Sequence, residues 1–337
     1  MRCAEYKYRF PVGTLTVRAL ITGGAGFIGS HLAEAILSAG HEVWIIDDLS
    51  TGAIDNVAGF KEHPKFHYAV EDVITGASLP EFIDRADVVY HMAAAVGVRL
   101  IVDEPVRTIE TNIKGTEAVL RHAAKKKKPV LIASTSEAYG KSADVPFRED
   151  GDTLLGPTTR SRWSYACSKL IDEFLALSYH RERKLPTVVA RLFNCVGPRQ
   201  TGRYGMVVPR FVKQALDGGP ITVYGDGTQS RCFADVSDVV RGLIALMAEP
   251  KAYGGIFNIG NDEEVTIRAL AERVRDRVNP NAQIQTIPYD QAYEPGFEDL
   301  KRRKPCLDRI RSVIDYRCTV SLDEIIDRVA RWMEANA

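Results

Sequence analysis

The sequence predicts an α/β protein: a Rossmann-type doubly wound parallel sheet with a smaller C-terminal α/β substrate domain. Three observations carry that prediction. Short apolar runs rich in β-branched residues alternate with helix-period segments through the first half of the chain. A glycine-rich run, Gly23-Gly24-Ala25-Gly26-Phe27-Ile28-Gly29, stands between the first such run and the first helical segment. The length of 337 residues exceeds one small domain and suits a large nucleotide-binding domain with a smaller partner.

The elements follow in order. Residues 17–22 form the first predicted strand, and 30–39 a helix that Gly40 ends as a C-terminal cap. Strands are predicted over 43–47, 66–70, 88–92, 130–134 and 187–191, with helices over 108–127 and 165–183 between them. Past residue 193 glycine and proline become frequent and helices mix with short strands. Residues 266–277 carry Ile267, Leu270 and Val274 on one stripe. Ser321 followed by Glu324 is a capping box opening a final helix. Residues 1–16 read as a leader, 17–193 as the nucleotide-binding domain and 194–337 mainly as the substrate domain. The boundary is soft, because the pattern leaves room for one return of the chain to the main sheet.

Composition narrows the function. Hydrophobic residues make up 45% and charged residues 26%, and 44 basic side chains balance 44 acidic ones. Zero net charge gives no reason to expect nucleic acid or an anionic membrane as partner. No apolar run approaches the roughly 20 residues that span a bilayer, and residues 1–16 lack the apolar core of a secretory signal. The six cysteines are scattered without a C-x-x-C pair, which predicts reduced thiols and a cytoplasmic protein. Lys125–Lys128 precedes Pro129 and reads as the cationic end of a helix rather than a nucleic-acid patch. No spacing of His, Cys, Asp or Glu suggests a metal.

The glycine run predicts a dinucleotide site. Glycines at 23, 26 and 29 let the backbone turn tightly and approach a pyrophosphate, whose charge rests at the helix N-terminus with Phe27 and Ile28 in its first turn. Asp47 ends the next strand, 24 residues after Gly23. A carboxylate there accepts from both ribose hydroxyls and repels a 2′-phosphate, so NAD is expected over NADP. Asp48 is placed to share that role, and Asp72 and Val73 follow the third strand where an adenine would lie.

Tyr165 and Lys169 are four residues apart on a helical segment and share a face. A phenol has an unperturbed pKa near 10, too high for a base at neutral pH, and a neighbouring lysine cation lowers it. A phenolate beside a nicotinamide can take a hydroxyl proton as hydride leaves the carbon. His91, in an apolar run, reads as a structural histidine near the cofactor. Cys167, inside the catalytic segment, has no adjacent base to activate it.

Several linked motifs extend this pattern: Thr22–Gly29, Asp47–Gly52, His91-Met92-Ala93-Ala94, Asn112, Ser134–Gly140, Tyr165–Lys169 and Arg191-Leu192-Phe193-Asn194. Together they resemble the extended short-chain dehydrogenase/reductase family, the NAD-dependent nucleotide-sugar epimerases and dehydratases, over about residues 17–335. The resemblance implies NAD as cofactor, a contact at Ala93, a bond from Lys169 to the nicotinamide ribose, and Thr135 holding the reacting hydroxyl with Tyr165. It implies that Ser136 contacts the substrate, that Asn194 and Arg231 contact the nucleotide diphosphate and that Val208 and Tyr224 shape the nucleotide pocket.

Within the family, the dehydratases carry T-D-E where this chain has Thr135-Ser136-Glu137, so dehydration loses its acid at Ser136. Glu137 with the Arg302-Arg303-Lys304-Pro305 segment is similar to the pattern of UDP-glucuronate decarboxylases, whose arginine role falls on Arg303. A guanidinium fork there would pair with a sugar carboxylate. Transient oxidation at C4 would then make a 4-ketone β to the C6 carboxylate, and carbon dioxide would leave. Two departures stand: those enzymes carry Y-D-E-G-K where this chain reads Tyr165-Ala166-Cys167-Ser168-Lys169, and the preceding residues differ. The alternatives are a UDP-hexose or UDP-hexuronate 4-epimerase and a catalytically silent NAD-binding protein. The resemblance also implies a homodimer that pairs the 108–127 and 165–183 helices with their copies.

Overall fold

The structure, a computed structural model, describes residues 16–95, 104–201, 206–288, 291 and 300–336. Its first half alternates strand and helix: β1 (Arg18–Thr22), α1 (Phe27–Ser38), β2 (Glu42–Asp47), β3 (Phe66–Val70), α2 (Ser78–Arg85), β4 (Val88–His91), α3 (Pro105–Ala124), β5 (Val130–Thr135), α4 (Arg162–Arg183) and β6 (Thr187–Leu192). The second half holds β7 (Cys195–Val196), α5 (Val207–Leu216), β8 (Ile221–Tyr224), β9 (Ser230–Cys232), β10 (Ala234–Asp235), α6 (Val236–Ala248) and β11 (Gly255–Ile259). It ends with β12 (Glu264–Thr266), α7 (Ile267–Val278), β13 (Ile284–Ile287), β14 (Arg302–Arg303), α8 (Asp308–Val313) and α9 (Leu322–Ala335).

Seven strands make one parallel sheet in the order β11-β6-β5-β4-β1-β2-β3. Period-two alternation decides its two faces. Ala19, Ile21, Val43 and Ile45 pack beneath α1 and α6. Leu20, Trp44 and Ile46 face α2, α3 and α4 on the other side. Both faces are covered, which is why the strands read as continuous apolar runs. A separate small core gathers Val208, Phe211 and Val212 of α5, Leu270 and Val274 of α7, and Ile325, Ile326 and Val329 of α9 over β8.

The chain returns to the main sheet once, as β11 beside β6. The segment around it packs on the main core through Leu243, Ile244 and Tyr316. Buried Asp238 secures the exit, accepting from the backbone of Thr319 at 2.9 Å and from the Thr319 hydroxyl at 2.8 Å.

Three helices begin earlier than the periodicity predicts, α4 among them at Arg162 rather than Tyr165. Helix α1 starts at Phe27 rather than Ser30, because Gly26 is extended (φ −73°, ψ 177°) and serves as N-cap. Helix α3 starts at Pro105, whose fixed φ suits a first turn, and stops at Ala124, short of the predicted Lys127. Lys127 takes a left-handed φ of 52°. The Ser321 cap accepts from the backbone of Glu324 as predicted.

The strand order reverses beside β1, with β2 on one flank and β4 on the other. The carboxyl ends of β1 and β4 therefore open a crevice, the position where such sheets bind ligands. Thr135 ends β5 at this edge, and Glu137 follows it in the next turn.

Candidate active site

A cleft of about 400 Å³ runs along that edge, from the glycine loop after β1 to Arg303 on β14. Its cofactor end is built by close backbone packing. Gly23 has φ +70°, and a Cβ there would lie 2.7 Å from the Ala93 nitrogen. A Cβ at Gly29 would lie 2.1 Å from the Gly23 oxygen, so only glycine lets α1 rise directly from the loop. No side chain caps the first turn of α1. Its free N–H groups and dipole suit a pyrophosphate, and Gly23, Gly26, Phe27, Ile28 and Gly29 all line the cleft beside them.

Asp47 is nearly buried and accepts from the backbone N–H of Ala25 at 2.9 Å and of Leu49 at 2.8 Å. Burial pushes its carboxyl pKa up, and these N–H bonds oppose the rise. Each carboxylate oxygen keeps acceptor capacity toward the cleft, which fits ribose hydroxyls. Asp48 accepts from Ser50, and Asp72 caps its own turn by accepting from the backbone of Ile74 at 2.7 Å. Asp48, Asp72, Val73 and Ala93 all line the cleft. The residues present therefore fit a dinucleotide with free ribose hydroxyls.

The chemical end gathers Thr135, Ser136, Glu137, Tyr165, Asn194 and Arg303. Strand β5 ends at Thr135, and a short 3-10 turn over Ser136–Tyr139 follows, capped by the Thr135 hydroxyl accepting from the Glu137 backbone at 3.2 Å. Tyr165 enters from the first turn of α4. Burial pushes its phenol pKa well up, Glu137 adds to the rise, and a hydrogen bond from Thr135 opposes it. Glu137 Oε1 lies 4.0 Å from an Arg303 guanidinium nitrogen. Arg303 is largely buried, and its Nε has no hydrogen-bond partner among the described residues.

Lys169 lies one turn beyond Tyr165. Its side chain is buried and donates to Asp172 Oδ2 at 2.7 Å. Lys169 is not among the residues lining the cleft, where its predicted ribose contact would lie. Asn112 ties α3 to α4, accepting from the Ala95 backbone at 2.8 Å and donating to Ser168 Oγ at 3.1 Å. His91 is fully buried between Thr22 and Thr116, and burial drives its pKa down to about 3, so it is the neutral structural imidazole expected.

Three predicted substrate contacts fall outside the cleft lining. Val208 is wholly buried in the small core, because the apolar face of α5 packs on α7 and α9. The Tyr224 ring lies under the Arg210 guanidinium at 3.9 Å, and Arg231 is buried, donating to the Ser230 carbonyl at 2.7 Å. Arg231 is nonetheless the strand partner of Arg303 across β9 and β14. Asn194 lines the cleft and donates to the Cys232 carbonyl at 2.9 Å.

Sequence reasoning missed Arg107, Thr111, Gln200 and Met206, which also line the cleft. They come from α3 and from around residues 200–206, segments with no motif of their own. Among the described residues no group of three His, Cys, Asp or Glu side chains is placed to hold a metal, and no helix is long and apolar enough to cross a membrane.

Comparison with known proteins agrees with this geometry. The model of the NAD dependent epimerase/dehydratase family matches residues 19–260, and the chain belongs to that family. Its cofactor is NAD, and it is an enzyme of nucleotide-sugar chemistry. It is 39% identical to a UDP-N-acetyl-alpha-D-glucosaminuronate decarboxylase of Bacillus cytotoxicus, over 94% of this chain and 97% of the relative. It is 36% identical to UDP-glucuronic acid decarboxylase 1 of Arabidopsis thaliana, over 94% of this chain and 70% of the relative. Among solved structures it is similar to a UDP-glucuronic acid 4-epimerase from Bacillus cereus in complex with UDP-glucuronic acid and NAD. That match has a TM-score of 0.85 and 28% identity, covering 95% of this chain and all of the other.

Proposed function

We propose that this enzyme decarboxylates a UDP-linked hexuronic acid, with UDP-glucuronate as the substrate, to a UDP-pentose. The observation that carries this reading is Arg303. A guanidinium with a buried Nε that has no hydrogen-bond partner among the described residues lines the same cleft as Tyr165, with Glu137 4.0 Å from it. An unmet buried donor costs about 1–3 kcal/mol, and a substrate carboxylate would satisfy it. The two relatives named as decarboxylases support the same choice.

Bound NAD supplies a transient hydride acceptor and donor. The rest falls to the chain. Thr135 and Tyr165 hold the C4 hydroxyl, and Tyr165 takes its proton. The 4-ketone so formed lies β to the C6 carboxylate. Carbon dioxide leaves, its bonding electrons pass into an enolate, and a proton taken up from water at C5 restores the ketone. Tyr165 returns its proton to the C4 oxygen as the ketone is reduced. Arg303 holds the carboxylate while it exists, and Asn194, which lines the cleft, serves the diphosphate.

The competing reading, 4-epimerisation, keeps the carbon, and the Bacillus cereus epimerase structure favours it. Mass spectrometry of product formed from UDP-glucuronate and NAD separates them. We expect loss of carbon dioxide; product of unchanged mass with inverted C4 would replace our reading with the epimerase. A parallel incubation with the 2-acetamido uronate sugar tests the substrate of the Bacillus cytotoxicus relative.

We also propose a homodimer. Val106 and Ile109 on α3 and Ile171 and Phe174 on α4 are exposed, Val106 and Phe174 at 69% and 70%. A second copy packing these helices against its own would cover them. Phe174→Glu is expected to halve the sedimenting mass; a wild-type protein already of single-chain mass would refute the dimer. The free state of all five described cysteines fits a reducing, cytoplasmic setting.

A further inference from the structure

The proposed chemistry needs Glu137 and Arg303 at a fixed spacing, yet different sheets carry them. Glu137 stands on the turn after β5 of the main sheet. Arg303 rides β14, in the three-stranded sheet β12-β9-β14. Their own contact, at 4.0 Å, is beyond hydrogen-bond reach and does not lock that spacing. One side chain bonds both segments. Asn258 of β11 is fully buried between the buried apolar neighbours Phe257 and Ile259. Its Oδ1 accepts from the Tyr139 hydroxyl at 2.7 Å, and Tyr139 closes the turn that carries Glu137. Its Nδ2 donates to the Phe147 carbonyl at 2.8 Å and to the carbonyl of Cys306, just past Arg303, at 3.1 Å.

We infer that Asn258 is a positioning residue for Arg303: it ties the turn of Glu137 to the strand of Arg303 and so fixes where the guanidinium meets the sugar. The inference rests on the reading of Arg303 as the partner of the substrate carboxylate. An amide suits the task because it offers two donors and an acceptor on one rigid plane. Both donors and the oxygen are in use, which is what makes a buried amide tolerable in an apolar strand.

The surroundings make the tie stiff. The Phe147 N–H donates to the carbonyl of Lys304, next to Arg303, at 2.8 Å, and the Phe147 carbonyl also accepts from the Cys306 N–H at 2.8 Å. The Phe147 ring stacks on Tyr139 with centroids 4.6 Å apart. The Arg191 guanidinium lies 4.6 Å from the centre of the Tyr139 ring and is itself paired with buried Glu173 at 2.7 Å. Asn258 is anchored in turn: its N–H donates to buried Glu149 at 2.8 Å, and β11 pairs with β6.

Asn258→Thr keeps the size of the side chain and suits a strand, but is too short to reach all three partners. We expect kcat/KM on UDP-glucuronate to fall by about 10–100-fold, the effect of misplacing a reacting group by about an ångström. Affinities for NAD and for UDP should hardly change. The deciding readout is the double-variant cycle with Arg303→Ala. Once the guanidinium is gone nothing is left to position, so Asn258→Thr should then lower kcat/KM by less than about threefold. Tyr139→Phe keeps the ring and its stack and removes only the hydroxyl that Asn258 accepts from. It should show the same dependence on Arg303, and it serves alone if the Asn258 variant does not fold.

Losses that multiply in full in the double variant would show a merely structural amide and overturn the inference, as would unchanged kcat/KM in Asn258→Thr and Tyr139→Phe. A silent Arg303→Ala would instead remove the carboxylate reading, and the inference with it. The cycle is read on whichever UDP-sugar turns over, so product of unchanged mass would replace decarboxylation and leave this test intact.

Discussion

Tyr165→Phe is expected to lower kcat by about 10²–10⁴-fold, the range for losing a positioned general base, while leaving the fold and NAD binding intact. The substitution keeps the buried ring and removes one hydroxyl, whose neighbour is Thr135. Loss of one such hydrogen bond changes stability by only about 1 kcal/mol. Nothing else at the chemical end can replace the phenol. Glu137 is paired toward Arg303, His91 is buried and neutral, and Lys169 is committed to Asp172. Steady-state turnover, with NAD affinity and thermal melting measured on the same sample, checks this. Turnover within tenfold of wild type would remove Tyr165 from the mechanism and revive a silent NAD-binding role.

Arg303→Ala is expected to be nearly as severe, but selectively. Truncating one member of a desolvated charge pair costs about 2–5 kcal/mol, and each 1.4 kcal/mol is tenfold. On UDP-glucuronate kcat/KM should therefore fall by roughly 30-fold to several thousand-fold. Affinity for NAD and for a UDP-hexose without a carboxylate should hardly move, because Arg303 faces the sugar end of the cleft and the glycine loop lies at the other. Arg303→Lys restores a point charge without the planar fork and should recover only part of the loss. Equal losses on uronate and hexose would show that Arg303 shapes the cleft rather than reading the carboxylate. Stability is a poor alternative account: Arg303 sits on a two-residue strand, and its ion-pair contact among the described residues, Glu137, is partly open to water.

Most of the fold is legible in the sequence because its signals are local. Continuous apolar strands, Gly40 after α1 and Ser321 before α9 act within a few residues of themselves. The errors fall at helix boundaries: extended Gly26 and first-turn Pro105 set two early starts, α4 opens at Arg162, and α3 stops at Ala124. At the site, the glycine run, Asp47, Thr135 and Tyr165 are legible for the same reason. Each stands at a strand end or in the first turn of a helix, and those places point to the crevice. Val208 misleads: its motif suggests a pocket, but the apolar face of α5 has a core of its own to fill.

By itself the sequence determined the fold class and NAD as the cofactor, and it pointed to Tyr165 and Lys169 as the oxidising pair, because periodicity, turn chemistry and motif spacing act along the chain. The tertiary structure alone decided that Arg303, 166 residues from Glu137, comes within 4.0 Å of it, that Arg231 is its strand neighbour, and that Lys169 is turned onto Asp172. Those facts depend on how β14 registers against β9 and on which face of α4 is buried. Strand register and burial are settled by packing between segments distant in sequence, and no local pattern records them.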